Sequence, residues 1–311
     1  LADASVTPEQ AGALDAYYTA RFAGASDGGG TVDVKALMPA SNAQKYLQAE
    51  YTVAATDPIA GRGRDDAGDG SAWSTANARY NAYFRRLIER TGYADLLLLD
   101  KNGDVVYSAN KGVDLGTNII TGPYRGESTL ADAYRRAMST NDVDSVEITD
   151  FARYLPVDEP TAWIVTPVGQ VGRPVGVLAM QFPLSMLNRV MTFDRNWTEV
   201  GMGQTGETFL IGPDDRMRSD SRLFLEDPDA YRKAVTAAGT PAVVADQAVR
   251  IGTTVLIQPV GTSASKAAQG GNAGTDIITD YLGRRALVAY APVKLAGLQW
   301  VMIATADSAE A

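Results

Sequence analysis

The chain has 311 residues, more than one typical domain and about right for two. It contains no cysteine and no histidine, which excludes thiol catalysis, Cys/His zinc sites and any Ser-His or Cys-His nucleophilic pair. A net charge of −9 with no contiguous Lys/Arg run argues against a nucleic-acid partner or a basic membrane-surface patch. No window of about 18 apolar residues occurs, so no bilayer-spanning helix is expected within it. Its abrupt ends read as those of a segment cut from something larger.

Residues 8–24 read as a helix, with Leu14, Tyr17, Tyr18 and Phe22 toward one face. A joint, Gly28-Gly29-Gly30, follows. Residues 41–55 read as a second helix with Ser41 as N-cap. The run 61–72 reads as a solvated, flexible polar loop, because its aspartates lack the spacing and terminal Glu of a calcium loop. A helix over 74–91 carries an apolar stripe of Tyr80, Phe84, Leu87 and Ile88, and Gly92 stands where a C-cap belongs.

Two later stretches follow one plan: an apolar strand, a turn rich in Asp and Gly, and a second strand. They are YADLLLLDKNGDVVYS (93–108) and GETFLIGPDDRMRS (206–219). Asn102-Gly103 favours positive φ at a tight turn, and Pro213-Asp214 presets a turn in the other copy. In the first half a helix at 127–139 and strands at 161–168 and 174–182 follow. Ser185 to Phe193 reads as a bridging helix. The second half is expected to hold strands near 207–211 and 215–219, a helix near 227–238, and strands at 251–258, 275–281, 284–291 and 298–305. The Gly/Ser/Ala-rich run 261–274 reads as a mobile loop.

Several blocks in register carry a family resemblance: GYADLLLLDKNGDVVYSANKGVDLGTNIITGPY (92–124), DFARYLPVDEPTAWIVTPV (150–168), GVLAMQFPLSMLNRVM (176–191), GQTGETFLIGPDDRMRSDSRL (203–223) and DYLGRRALVAYAPVKLAGLQWVMIATADSAEA (280–311). Over roughly residues 75 to 311 the chain resembles the double-Cache sensor domains of bacterial transmembrane receptors, of the adenylate or guanylate cyclase, chemoreceptor and histidine kinase types. The resemblance implies an α+β fold: two tandem PAS-like modules with antiparallel sheets, stacked along an N-terminal helix. The expected division is a helical segment at 1–74, a membrane-distal module at 75–192 that holds the ligand, and a membrane-proximal module at 193–311. It further implies an extracytoplasmic position, anchoring through flanking membrane helices, a homodimer, a small-molecule ligand and no cofactor. The first 70 residues are less regular than the single long helix of the family.

The candidate binding residues lie in the first module. Asp95, Tyr107, Asp150, Tyr154, Trp163 and Thr166 mix acidic, aromatic and hydroxyl groups, and Arg79 and Tyr83 lie on the preceding helix. Aromatic walls with a few convergent polar groups suit a small polar ligand. An Arg fork would hold a carboxylate, and an Asp an ammonium. The plainer alternative is that the strand tyrosines and Trp163 are core and that Asp150 caps a turn. The family's amino-acid-binding version carries an acid near Thr166-Pro167-Val168-Gly169-Gln170, and here there is none, which favours an organic acid or other small metabolite. Two different classes compete with a sensor. Paired carboxylates such as Asp95 and Asp150 would serve a hydrolase, and a module without a cavity would be structural or adhesive.

Two motifs in the second half have local readings. Arg218-Ser219-Asp220-Ser221-Arg222 reads as an internal ion-pair and turn network before an anion site. Gly201-x-Gly203-x-x-Gly206 matches the dinucleotide pattern but precedes a strand, so it lacks the helix N-terminus that pattern needs.

Overall fold

The computed structural model describes residues 4–24, 26–27, 30–54, 61–126 and 129–310. The chain divides into two compact units, Leu1–Pro183 and Leu184–Ala311. Positions 28–29 of the expected glycine joint and the start of the helix expected from 127 lie outside the described residues.

In the first unit, helix α1 (Pro8–Arg21) starts at a capping box. Thr7 Oγ1 accepts from the Gln10 amide at 3.2 Å, and the Gln10 side chain accepts from the Thr7 amide at 2.9 Å. Leu14, Tyr18 and Phe22 bury the expected face against Leu37, Val113 and Tyr124. Short strands β1 (Ser26–Asp27) and β2 (Gly30–Thr31) pair antiparallel, and α2 (Val34–Leu37) follows. Ser41 caps α3 (Asn42–Gln48), which runs on into a π-helical turn, Ala49–Val53. Helix α4 (Ala72–Thr91) ends at Gly92, whose φ of 78° supplies the left-handed C-cap. The polar run before α4 is pinned, against the flexible loop expected there. Asn77 Nδ2 donates to the Arg64 and Asp65 carbonyls, and Asn81 Nδ2 to the Arg62 carbonyl and the Asp65 carboxylate.

The first sheet is built from β3 (Asp95–Asp100), β4 (Val105–Ser108), β5 (Glu147–Ile148), β6 (Ala152–Tyr154), β7 (Glu159–Gln170) and β8 (Arg173–Phe182). Its order is β4-β3-β8-β7-β5, with β6 also on β7 and every pairing antiparallel. The β3–β4 turn places positive φ on Gly103 alone, while the Asp100 carboxylate accepts the Asn102 and Asp104 amides. Helix α5 (Leu130–Ser139) lays Leu130, Ala133, Tyr134 and Ala137 on the sheet, against Leu97, Leu99, Trp163, Val165 and Ala179. The other face of the sheet packs Leu96, Leu98, Tyr107 and Leu178 against Phe84, Leu87 and Ile88 of α4.

The second unit opens with α6 (Leu184–Met191). Asn188 Oδ1 accepts from the Asp220 amide and Nδ2 donates to the Asp220 carboxylate, which ties α6 to this unit. Next come β9 (Glu207–Ile211), α7 (Arg222–Glu226), α8 (Pro228–Ala237), α9 (Ala242–Ile251), α10 (Ser263–Gln269), β10 (Gly274–Thr279), β11 (Arg285–Pro292) and β12 (Val301–Asp307). The sheet runs β10-β11-β12-β9, antiparallel throughout. The expected α+β architecture of two antiparallel sheets is therefore present.

Three local expectations fail, each for a physical reason. Residues 215–219 make only isolated bridges, because the Leu210 amide is taken by the Ser219 hydroxyl and Asp215 turns the chain at φ 60°. The strand expected at 251–258 is the end of α9, a left-handed Gly252 cap and a turn; Asp220 captures the Thr254 amide there. The run 261–274 is no loop. Thr262 caps α10, and Ala264 and Ala268, four apart, bury its inner face.

Candidate functional site

The first unit contains a cavity of about 460 Å³. Its walls come from α1 (Tyr17 and Arg21), from Thr52 in the π-helical turn, from Asp95 at the head of β3, from residues 110–114 after β4, from Pro156, Val157 and Glu159, and from Gln181 on β8. Two buried carboxylates line it. Asp95 is 5% exposed and Asp114 4%.

Local chain geometry sets both acids. Asp95 Oδ1 accepts from the Leu96 amide at 2.7 Å and the Asn110 amide at 3.0 Å, and Oδ2 accepts from the Ser108 hydroxyl at 2.9 Å. The chain then turns through Lys111 at φ 56°, which drives that side chain inward. Lys111 Nζ donates to Asn81 Oδ1 at 2.9 Å and to the Ser108 carbonyl at 2.8 Å, and stands 4.0 Å from the centre of the Tyr107 ring. Its ammonium is thus held by neutral acceptors and an aromatic face. Asp114 Oδ2 accepts from the Tyr154 hydroxyl at 2.7 Å.

Burial dominates the electrostatics of this group. It raises the Asp95 carboxyl above its ordinary value, against the amide and hydroxyl bonds and the Lys111 charge. Burial, then the neighbouring Asp95 charge, pushes Asp114 up to about 7. Burial also pushes Lys111 down to about 7, against the pull of Asp95. Two buried carboxylates thus line one cavity with the Lys111 ammonium, and the Arg21 guanidinium stands at its α1 end.

Of the residues picked from sequence, Asp95 forms the wall. Tyr107 and Tyr154 stand one contact behind it: Tyr107 donates to Asn81 Oδ1 at 2.7 Å, and Tyr154 holds Asp114. Trp163 is core, edge-on to Tyr154 with ring centres 5.1 Å apart. Thr166 donates to the Ser145 carbonyl. Asp150 accepts from the Phe151 amide, and its carbonyl accepts from Thr129. Arg79 lies over the ring of its neighbour Tyr80, and Tyr83 is 62% exposed. Trp163, Thr166, Asp150, Arg79 and Tyr83 are not among the residues lining the cavity, so the Asp95–Asp150 pair is not brought together there. Sequence reasoning missed Lys111, Asp114, Arg21 and Gln181. The available signal was Ala109 to Leu115, where Lys111 and Asp114 sit among residues apolar enough to be buried.

A second depression, of about 500 Å³, lies in the second unit between Pro213, Gln269, Pro292, Val293, Leu298 and Trp300. No ionisable side chain lines it, and it offers no polar group comparable to the acidic pair. Among the described residues, no cluster of His, Cys, Asp or Glu is placed to hold a metal ion. No described helix is long and apolar enough to cross a membrane.

No protein-family model matches the chain, and no curated protein matches it. Solved structures similar to it include the ligand-binding domain of the Pseudomonas aeruginosa PAO1 amino acid chemoreceptor PctB in complex with L-Arg, at 17% identity and a TM-score of 0.46, covering 87% of this chain and 91% of that one. Another is the ligand-binding domain of the Pseudomonas fluorescens chemoreceptor CtaA in complex with L-leucine, at 13% identity and a TM-score of 0.44, covering 87% of this chain and 90% of that one. A third is the ligand-binding domain of the Pseudomonas aeruginosa PAO1 chemoreceptor PctC in complex with GABA, at 15% identity and a TM-score of 0.42, covering 74% and 81%. At this level of likeness, a functional reading has to rest on the chain's own residues.

Proposed function

We propose that this chain is an extracytoplasmic sensor domain, and that the first unit binds a small molecule through an ammonium group. One observation carries the ligand class: Asp95 and Asp114, both buried, line one cavity with a single ammonium, Lys111, whose hydrogen bonds go to Asn81 and the Ser108 carbonyl. A desolvated carboxylate pair is costly without a positive partner, and a ligand ammonium supplies one. Arg21 at the α1 end of the wall offers a guanidinium for an acidic group on the same molecule. This shifts the ligand from the organic acid expected earlier to a primary amine or an amino acid.

The sequence resemblance supports the wider reading, a receptor fragment held outside the cytoplasmic membrane and paired as a homodimer. In that reading the Asp95 to Asp114 wall tightens on the ligand, and the output changes only as far as the ligand prefers one state over the other.

A thermal-shift screen with amino acids, primary amines and organic acids tests the proposal. An ammonium-bearing compound should raise the melting temperature by mass action. Asp114→Asn and Asp95→Asn should each abolish that rise. Stabilisation by carboxylic acids alone, unaffected by either substitution, would overturn it.

A further inference from the structure

The glycine-rich loop before β9 has an occupant that neither the fold nor the cavity explains. Gly201 and Gly203 adopt φ of 82° and 57°, and this turns the Gln204 and Thr205 amides to one side of the loop. Both amides donate to the carboxylate of Glu310, Thr205 at 2.8 Å, and the Thr205 hydroxyl donates to it as well. The carboxylate sits where a side chain would stand at position 203: a Cβ built on Gly203 would meet Glu310 Oε1 at 2.1 Å. Consecutive amides after a left-handed residue form an anion-binding concavity.

The loop is braced from beneath by a cation. The Arg222 guanidinium is stacked 4.6 Å from the centre of the Trp197 ring and donates to the Gly206 carbonyl at 2.6 Å and the Gly203 carbonyl at 3.2 Å. It also pairs with Glu226 at 2.8 Å. Its backbone amide donates to Glu207, the first residue of β9. The Gly203 and Gly206 carbonyls therefore meet the cation, while the Gln204 and Thr205 amides meet Glu310. The Asp307 amide donates to the Thr205 hydroxyl at 3.0 Å, which sets that hydroxyl to donate onward to Glu310.

We propose that residues 201–206 form a carboxylate-binding site that Glu310 fills from the same chain, so that residues 308–310 are a displaceable latch on the second unit. An acidic group brought by another molecule competes with Glu310 for the same donors and releases the latch. The Thr205 hydroxyl bond and the Gln204 amide hold the Glu310 carboxyl below its ordinary value, as expected of an anion in a donor cradle.

The test uses the whole chain and acetate as probe. Glu310→Ala empties the cradle and should lower the melting temperature. Sodium acetate should then raise the melting temperature of the variant by mass action, by roughly 2 °C at saturating tens of millimolar, while sodium chloride of equal ionic strength does not. The Gln204 and Thr205 amide resonances should move with acetate in Glu310→Ala and stay still in the unaltered protein. Adding Thr205→Val to Glu310→Ala should weaken the acetate response several-fold. Equal melting temperatures of Glu310→Ala and the unaltered protein, or amides 204 and 205 that ignore acetate, would overturn the proposal.

Discussion

Asp220 in the second unit and Asp114 in the first are buried alike and bonded differently. In the second unit Asp220 is 4% exposed and takes donors on every side: the Thr253 hydroxyl at 2.6 Å, the Thr254 amide at 2.6 Å, the Thr254 hydroxyl at 3.0 Å and Asn188 Nδ2 at 2.6 Å. In the first unit Asp114 is equally buried, yet beside the local amides of 114 and 115 its side chain has the Tyr154 hydroxyl as partner and the cavity before it. A saturated carboxylate holds a fold together. An under-saturated one beside a cavity is costly to the fold and useful to a ligand.

The largest effect is expected at Asp220. Asp220→Ala strands the Thr254 amide and the hydroxyls around it, and should cost roughly 3 kcal/mol or more in a urea melt of the second unit. A loss under about 1 kcal/mol would put Asp220 on the same footing as Asp114.

Glu207, also in the second unit, sharpens the contrast through pH. It accepts from the Tyr281 hydroxyl at 2.8 Å and the Arg222 amide at 2.9 Å, yet burial pushes it up from 4.5 to about 7. The folded form then binds a proton that the unfolded form releases, so stability falls as pH rises from about 4.5 to about 7 and stays low above that. The full span is worth about 3 kcal/mol at most. Glu207→Gln should flatten this fall in melts taken at pH 5 and pH 8. A slope unchanged by the substitution would show that another group produces it.

Asp114→Asn should act the other way from Asp220→Ala. It removes a buried carboxyl raised to about 7, whose ionisation costs stability as pH climbs from about 4 to 7. The variant should be as stable as the unaltered protein or more so, by about 1 kcal/mol at pH 8, while losing ligand binding. A variant that is destabilised by as much as Asp220→Ala would make Asp114 a structural acid.

The smallest effect is expected outside both polar groups. Gly92→Ala forces a left-handed φ of 78° on a residue with a Cβ and should cost about 1 kcal/mol in the first unit, with no change in ligand binding.

Much of the backbone was legible in the sequence because its signals are local. Ser41, Gly92 and the DLLLLD strand each act within a few residues, and each stands where the sequence puts it. Ser219 and Thr254 were misread for the opposite reason. Their backbone choices are settled by Ser219 meeting Leu210 and by Asp220 meeting Thr254, partners that local pattern does not reveal. Helix α10 is an intermediate case: its Thr262 cap and the Ala264/Ala268 spacing were available, but small residues bury little area and read as a loop.

The amino-acid sequence by itself determined that no thiol or imidazole chemistry operates here, that two antiparallel modules follow one another, and that an acid at position 95 heads a buried strand. Which acids share a cavity was decided only by tertiary structure. Asp95 and Asp114 line one cavity where the chain after β4 returns to Asp95 through the Asn110 amide and turns at Lys111, which meets Asn81, a residue on a helix thirty positions earlier. Contacts of that kind depend on distance in space and on the loss of water, and neither quantity is written along the chain.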